Sequence, residues 1–253
     1  MQPELAIVVP VYNEADNILP LAKEVAKAVA EAVASYELVF IDDGSTDSTW
    51  SKIREAHEIN QCVRGLRHLT NAGQSAALWT GLQSTRSPLI GTLDGDLQNN
   101  PADLPKLLKE LDQVDFVCGV RTKRQDTSLR RISSQVARAA RKWVLGVDFA
   151  DTGCALRVFK REIVGNVLPF NGMHRFLPIL VHSSGYRTRE VPISHRARIA
   201  GASKYGIGNR LFRGILDLFA VAWYQKRRIT PIDTETLGDH PNSNEPQTSP
   251  TRR

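Results

Sequence analysis

Leu89-Ile90-Gly91-Thr92-Leu93-Asp94-Gly95-Asp96-Leu97-Gln98 passes from an apolar run directly into two carboxylates one residue apart. A short apolar run closed by a turn signal reads as a buried strand. At its end, Asp94 and Asp96 make a compact site for a hard divalent cation that takes phosphate oxygens as further ligands. A chain built around such a site handles a nucleoside diphosphate. Asp-Gly is also a common turn dipeptide, so the same residues read equally as a polar turn capping the strand. The neighbouring sequence separates the two readings.

Leu5 to Val9 is apolar and rich in β-branched residues, and Pro10-Val11-Tyr12-Asn13-Glu14 follows it as a loop. Ile18, Leu21, Val25 and Val29 then recur at helical spacing from an N-cap at Asp16 or Asn17, with Pro20 in the first turn. Leu38 to Ile41 is a second strand, ending in Asp42-Asp43-Gly44-Ser45-Thr46-Asp47, before a helix through Trp50, Ile53 and His57. Val63 to Leu69 is a third, ending in Asn71-Ala72-Gly73-Gln74, before a helix from about Ser75 to Gln83. After Leu89 to Leu93, Pro101 opens another helix and Phe116 to Val120 is a fifth strand. Strands alternating with helices predict an α/β fold with a doubly wound, mostly parallel sheet and helices on both faces. Ligands bind at the carboxyl ends of the strands in such sheets. Glu14, Asp42, Asp43, Asn71, Gly73, Asp94, Asp96 and Gln98 all fall there, which favours the cation site over the turn.

With 253 residues, 42% hydrophobic and 24% charged, the chain has the composition of one globular domain with appendages. Cys62, Cys118 and Cys154 have no metal-ligand spacing and read as reduced thiols of a cytosolic protein. Met1-Gln2-Pro3-Glu4 leads straight into a strand, which predicts no signal peptide, and no apolar stretch approaches the roughly 20 residues of a spanning helix. The net charge of +6 is segregated. Arg121, Lys123, Arg124, Arg130, Arg131, Arg138, Arg141 and Lys142 face one acid, Asp126, and a second basic group runs from Arg187 to Arg213. A metal and nucleotide half over about 1–120 followed by an anion-binding half over about 121–208 accounts for this. Solubility combined with nucleic-acid binding is the other account.

In that second half, residues 128–145 read as a basic amphipathic helix, Met173-His174-Arg175-Phe176 as a helix start and Glu190 to Ile193 as a strand. A last helix over about 209–228 places Leu211, Phe212, Ile215, Leu216, Phe219 and Trp223 on one side. It either lies on an anionic membrane or docks on the core. Residues 229–253 lack apolar periodicity and read as a disordered tail, leaving 1–228 as the folded domain.

Four strings together resemble glycosyltransferase family 2, in particular its polyprenyl-phosphate (dolichol-phosphate) mannosyltransferase-like members. They are Val9-Pro10-Val11-Tyr12-Asn13-Glu14, Ile41-Asp42-Asp43-Gly44-Ser45-Thr46-Asp47, Asp94-Gly95-Asp96-Leu97-Gln98 and Gly201-Ala202-Ser203-Lys204-Tyr205. The resemblance covers about residues 5–225 and implies a GT-A type fold, dependence on Mg or Mn, and inversion at the anomeric carbon. Carried over by position, it implies a nucleotide-sugar pocket from Pro10, Tyr12, Glu14, Asp43 and Asp94, with Asp43 on the base. Asp94, Asp96 and Gln98 correspond to the metal and diphosphate group, and Arg121, Arg130 or Arg131, Arg198 and Lys204 to the acceptor-phosphate contacts. Asp94, Asp96 and Arg121 are thereby the catalytic candidates. The implied partners are a nucleotide sugar (GDP-mannose or a UDP-hexose or uronic acid), a polyprenyl phosphate and a membrane surface, but no nucleic acid. The implied location is cytoplasmic, peripheral on the inner membrane face; a homo-oligomer or membrane-protein partner stays open. Many relatives have His-Pro-Pro where this chain has Asn99-Asn100-Pro101, and Ser-Gly-Phe-Arg where it has Thr152-Gly153-Cys154-Ala155, so the sugar is not read from the resemblance.

A phosphate monoester has a second pKa of about 6, so such an acceptor is largely ionised at neutral pH and needs no strong general base. A saccharide or protein hydroxyl acceptor would need one. His174 and Arg175 either touch the sugar or lipid phosphate or pack as a helix cap, and Asp151 either orients an arginine or binds the sugar. A processive synthase is disfavoured, because Gln135 to Arg138 is followed by Ala139 rather than Trp. A nucleotidylyltransferase is disfavoured by the absence of a Gly-rich loop after the first strand. A nucleic-acid-binding module is disfavoured because the basic groups are not interleaved with stacking aromatics.

Overall fold

The structure, a computed structural model, describes residues 2–122, 138–196 and 207–229, with side chains from 214 onward in the last segment. Seven strands form one sheet in the order β3-β2-β1-β4-β6-β5-β7. They are β1 (Leu5–Val11), β2 (Tyr36–Asp42), β3 (Val63–Arg67), β4 (Leu89–Thr92), β5 (Phe116–Arg121), β6 (Arg157–Lys160) and β7 (Thr188–Ile193). Neighbours pair in parallel except β6, which runs antiparallel between β4 and β5. The mostly parallel, doubly wound expectation therefore holds, with one reversed strand that the sequence shows only as an apolar segment after Leu156.

Alternate residues of the central strands face opposite layers, as the two-residue period of a strand requires. Ile7, Val9, Leu38 and Phe40 pack with α1 (Ala15–Val29), α2 (Thr49–Ile59) and α4 (Leu104–Glu110). Val8, Val39, Ile41 and Ile90 pack with α3 (Gln74–Ser84), a helical segment α5 (138–145), α6 (Leu177–Ser183) and α7 (Ile207–Arg227). Coverage on both faces is why the strands read as continuous apolar runs. Residues 128–137 of the predicted basic helix, and the predicted tail from 230 onward, lie outside the described residues.

Local boundaries differ in instructive ways. The first helix starts at Ala15 with Glu14 at the N-cap position, not Asp16 or Asn17, and makes no side-chain cap bond. Asn17 is instead buried and donates to Glu14 Oε2 at 2.6 Å. Pro20 consequently falls in the second turn, where it removes the N–H that would have reached the Asp16 carbonyl; both residues are exposed. The Met173–Arg175 helix start is a 3-10 turn leading into α6.

Gly81 fixes how closely α3 approaches the sheet. A Cβ there would lie 2.6 Å from Ile41 Cδ1 and overlap Val8 Cγ1. Gly81→Ala is expected to destabilise by about 1–3 kcal/mol through overpacking, with less than about 1 kcal/mol returned by helix propensity. A urea midpoint equal to or above wild type would contradict this.

Asp115, before β5, accepts from Lys160 Nζ at 2.8 Å and from Arg187 N, Nε and Nη2 at 3.0, 3.2 and 3.1 Å. Burial pushes its carboxyl up, but the Arg187 and Lys160 hydrogen bonds outweigh it and hold it at about 2 against an ordinary 3.8. The folded value lies below the unfolded one, so this contribution is complete above about pH 4 and disappears as pH falls through about 2. Asp115→Asn should lower stability at pH 7 and flatten its decline between those values in acid titrations followed by circular dichroism. An unchanged acid limb would contradict the assignment.

Candidate functional site

The strand order reverses between β1 and β4, so a crevice opens at their carboxyl ends. Tyr12 to Glu14 leave β1, Asp43 to Ser45 leave β2, Asp94 to Gln98 leave β4, and Arg121 closes β5. Because β6 is reversed, its first residue, Arg157, belongs to the same edge, opposite Thr92 of β4 and Cys118 of β5.

The first two loops are knitted together. Asn13 N donates to Ser45 Oγ at 2.9 Å, Thr46 N to Asn13 Oδ1 at 2.8 Å, and Glu14 N to Thr49 Oγ1 at 2.9 Å. Asn13 takes φ 52, a left-handed conformation that Asn adopts more readily than most residues. Asp42 accepts from Ser45 N at 2.9 Å, and Arg67 Nε lies 3.2 Å from its other oxygen, near enough for an ion pair but not aligned for a hydrogen bond. Pro10 sits within β1, in register with Ile41.

Asp43 is buried and already busy. Its oxygens accept from Ala72 N at 2.9 Å, Gly73 N at 2.7 Å and His68 Nδ1 at 2.7 Å. The carboxylate thus pins the 71–73 loop at the start of α3, and a carboxylate with about four acceptor positions keeps capacity for one further donor. Gly44 permits the contact: at φ 71, a Cβ would come 2.8 Å from Asn71 N.

Around β4, Gln74 Nε2 donates to Asp94 Oδ1 at 2.9 Å, and Gln98 N donates to Asp96 Oδ1 at 3.2 Å. Leu97, between the two motif carboxylates and Gln98, has φ 60, a strained conformation for a bulky side chain. Its burial in the core holds that conformation in place. Beyond Gln98, its carbonyl accepts from Arg196 N at 2.9 Å, and Asn99 bridges to His195. The guanidinium of Arg196 is bound to Glu24 at 2.7 Å and Asn100 at 2.6 Å, which fastens this segment beside the motif. Asp94, Asp96 and Gln98 all carry oxygen donors, the ligand chemistry that a hard dication such as Mg or Mn takes. No cluster of three or more His, Cys, Asp or Glu able to hold a metal occurs among the described residues.

Arg121 lies on the other side. Its Nε and Nη2 reach Asp151 Oδ2 and Oδ1 at 2.6 and 2.8 Å, a bidentate pair. Burial works against the charge, but the Asp151 bonds prevail, and with a contribution from Asp94 the pKa of Arg121 is raised. Glu190 accepts from Ala150 N at 2.8 Å and Asp151 N at 3.2 Å, so β7 fixes the backbone that carries Asp151. Nearby, burial pushes the Cys154 thiol up to about 11, leaving it neutral.

A third group joins His174 and Arg175, named in the sequence, to partners the sequence does not show. Ser75 Oγ accepts the Gly172 N–H at 2.9 Å and shares a hydrogen bond with His174 Nδ1 at 2.7 Å, which joins the start of α3 to the Met173–Arg175 turn. Arg175 lies 3.7 Å from Asp217 of α7. The structure therefore brings Tyr12, Glu14, Asp43, Asp94, Asp96, Gln98 and Arg121 to one edge, and adds Gln74, Ser75, His174 and Arg157. Arg130, Arg131, Arg198 and Lys204 lie outside the described residues.

Residues 6–168 match the family model for glycosyl transferase family 2. The chain is 38% identical over 234 residues to a dodecaprenyl-phosphate galacturonate synthase of Rhizobium johnstonii, covering 90% of this chain and 69% of that protein. It is 36% identical over 203 residues to an undecaprenyl-phosphate 4-deoxy-4-formamido-L-arabinose transferase of Pseudomonas fluorescens, covering 79% of this chain but only 60% of that one. The chain thus spans less than two thirds of the length of the arabinose transferase. Among solved structures, glucosyl-3-phosphoglycerate synthase of Mycobacterium tuberculosis with Mn2+, UDP and phosphoglyceric acid superposes with TM-score 0.67 at 18% identity, covering 91% of this chain and 80% of that one. A mannosyltransferase of Pyrobaculum calidifontis with GDP-Man and Mn2+ gives 0.62 at 22%, covering 91% and 66%. At such identities the likeness is one of fold, a mostly parallel sheet covered by helices.

Proposed function

The chain belongs to glycosyl transferase family 2, and on that premise we propose that it transfers a sugar, with inversion, from a nucleotide sugar to a polyprenyl phosphate at a membrane surface. The observation that carries the reading is one sheet edge presenting a carboxylate pair for a metal-bound diphosphate beside an arginine held ready by Asp151. The two relatives, named for lipid-phosphate acceptors, support that acceptor, and their sugars favour a uronic acid or related pentose over mannose.

The residues divide the work. Tyr12, Glu14 and Pro10 form the nucleoside pocket, with Asp43 offering its last acceptor position to the base. Asp94, Asp96 and Gln98 would hold Mg or Mn, which when bound supplies Lewis-acid stabilisation to the departing diphosphate. Arg121 presents its remaining N–H donors to the acceptor phosphate, joined by Arg130 or Arg131, Arg198 and Lys204. Two anionic substrates are thereby held together despite their repulsion, which is most of what an already ionised nucleophile requires. Residues 1–120 serve the donor and 121–208 the acceptor.

No helix among the described residues is long and apolar enough to cross a membrane. On α7, Leu218 and Val221 dock on the core while Ile215, Leu216, Phe219 and Trp223 stay exposed, and Trp143 of α5 is 86% exposed. This apolar surface is suited to lie in lipid, peripherally on the cytoplasmic face. Incubation with Mg or Mn, polyprenyl phosphate and a panel of UDP-galacturonate, UDP-glucose and GDP-mannose tests the function. One donor should yield a chloroform-extractable glycolipid; failure of every donor, uronic acid included, would overturn the proposal.

A further inference from the structure

We propose that Arg157 is a positioning residue whose fixed positive charge, acting through the field, helps hold the donor diphosphate at the carboxyl edge of β4. The inference rests on the function proposed above and adds a residue outside the four family strings. Arg157 is 2% exposed and opens the reversed strand β6, facing Thr92 on one side and Cys118 on the other. Its Nη2 donates to Thr152 O at 3.0 Å and His174 O at 2.8 Å, tying the loop that carries Asp151 to the turn that carries His174. Its Nε is buried without a hydrogen-bond partner. Among the described residues, no carboxylate lies within ion-pair distance of it.

A buried charge with no direct ion pair among the described residues and an unbonded Nε is expensive, and an apolar side chain of similar volume would ordinarily serve packing as well. Burial lowers the Arg157 pKa, while the nearby thiols and then Asp94 and Asp151 work the other way. Guanidinium stays protonated at neutral pH through a shift of this kind. The cation thus stands behind the metal motif, in the low-dielectric interior, with no carboxylate of the described residues in direct ion-pair contact. A nucleoside diphosphate bound at Asp94 and Asp96 adds negative charge on that side.

The field and the tie between loops make opposite predictions for two substitutions. Arg157→Gln keeps an N–H donor for the two carbonyls and loses the charge; Arg157→Lys keeps the charge and loses the fork. A cation near Asp94 opposes a metal ion and favours an anion. In Arg157→Gln, calorimetric titration should therefore show Mn2+ alone binding more tightly, and UDP or GDP in the presence of Mn2+ binding more weakly, each on the order of tenfold. Arg157→Lys should stay within about threefold of wild type for both. Should Arg157→Gln fail to fold, Arg157→Met provides the neutral comparison and the same signs are expected. Equal weakening of Mn2+ and nucleotide, or a Lys variant no better than Gln, would overturn the charge role and leave only a tie between loops. Wild-type protein that binds no nucleoside diphosphate would overturn the function and this inference together, whereas normal wild-type binding with unaltered variants would overturn the inference alone.

Discussion

Asp96→Ala is expected to lower turnover by about 10²–10³-fold or more while leaving the fold intact, the loss that follows when several kcal/mol of metal-mediated stabilisation of the leaving group are removed. Asp96 is almost wholly buried, and among its contacts the Gln98 N–H it accepts at 3.2 Å is an ordinary hydrogen bond, worth about 1 kcal/mol. On the proposed role the larger loss is of a ligand, because Asp94 and Gln98 alone would make a poor site for a hard dication. Leu97 keeps its left-handed conformation through its own burial, so the backbone aim of Gln98 should survive. Asp96→Asn should fall between the two and recover partly in excess Mn2+. The thermal stabilisation that UDP or GDP with Mn2+ gives the wild type should vanish in Asp96→Ala. An alanine variant within tenfold of wild type, with an unchanged melting temperature, would remove the metal motif from the mechanism.

Arg121→Met should cost about 10–10²-fold in kcat/KM for the lipid phosphate, with little change in donor KM, since a charge-assisted bidentate contact is worth about 1.5–3 kcal/mol and the proposed function spends it on the acceptor. Asp151 makes the experiment sharper. The side chains of Arg121 and Asp151 are 16% and 7% exposed, so the pair is largely buried. Removing only Asp151 strands the arginine, and breaking such a pair costs about 3–5 kcal/mol of stability. Asp151→Ala should therefore melt well below wild type. Adding Arg121→Met to it should restore much of the lost stability without restoring activity. If Arg121→Met changed donor and acceptor KM alike, the arginine would belong to the donor side; if the double variant melted no higher than Asp151→Ala, the stranded charge would not be the cause.

The fold was largely legible because the parallel strands are buried on both faces and announce themselves as apolar runs, as Leu5 to Val9 and Leu38 to Ile41 do. The placement of the candidate residues was legible for a related reason: polar residues that immediately follow such runs are forced to the carboxyl edge. β6 was not readable as a strand, because it is four residues long and carries charges at both ends, and no local pattern signals its reversed direction. Contacts between distant segments were hidden as well. Ser75 and His174 are joined across 99 residues, and Gln74 reaches Asp94 across 20, separations that no periodicity encodes. One signal was available. An arginine set between Leu156 and Val158-Phe159 interrupts an apolar run with a charge, and a charge buried there needs a reason. The helix start at Ala15 was misplaced because Asn17 has the chemistry of a cap but spends its side chain on Glu14.

The central claim is that an ionised lipid phosphate, not a hydroxyl, is the nucleophile. It is tested most directly by measuring radiolabel transferred from the preferred nucleotide sugar into the organic phase with polyprenyl phosphate against the matching polyprenyl alcohol, in the same vesicles with Mn2+. Transfer to the phosphate alone, reduced in Arg121→Met, is the predicted result. Equal transfer to the alcohol would contradict it, since a hydroxyl acceptor calls for a general base that this account does not assign.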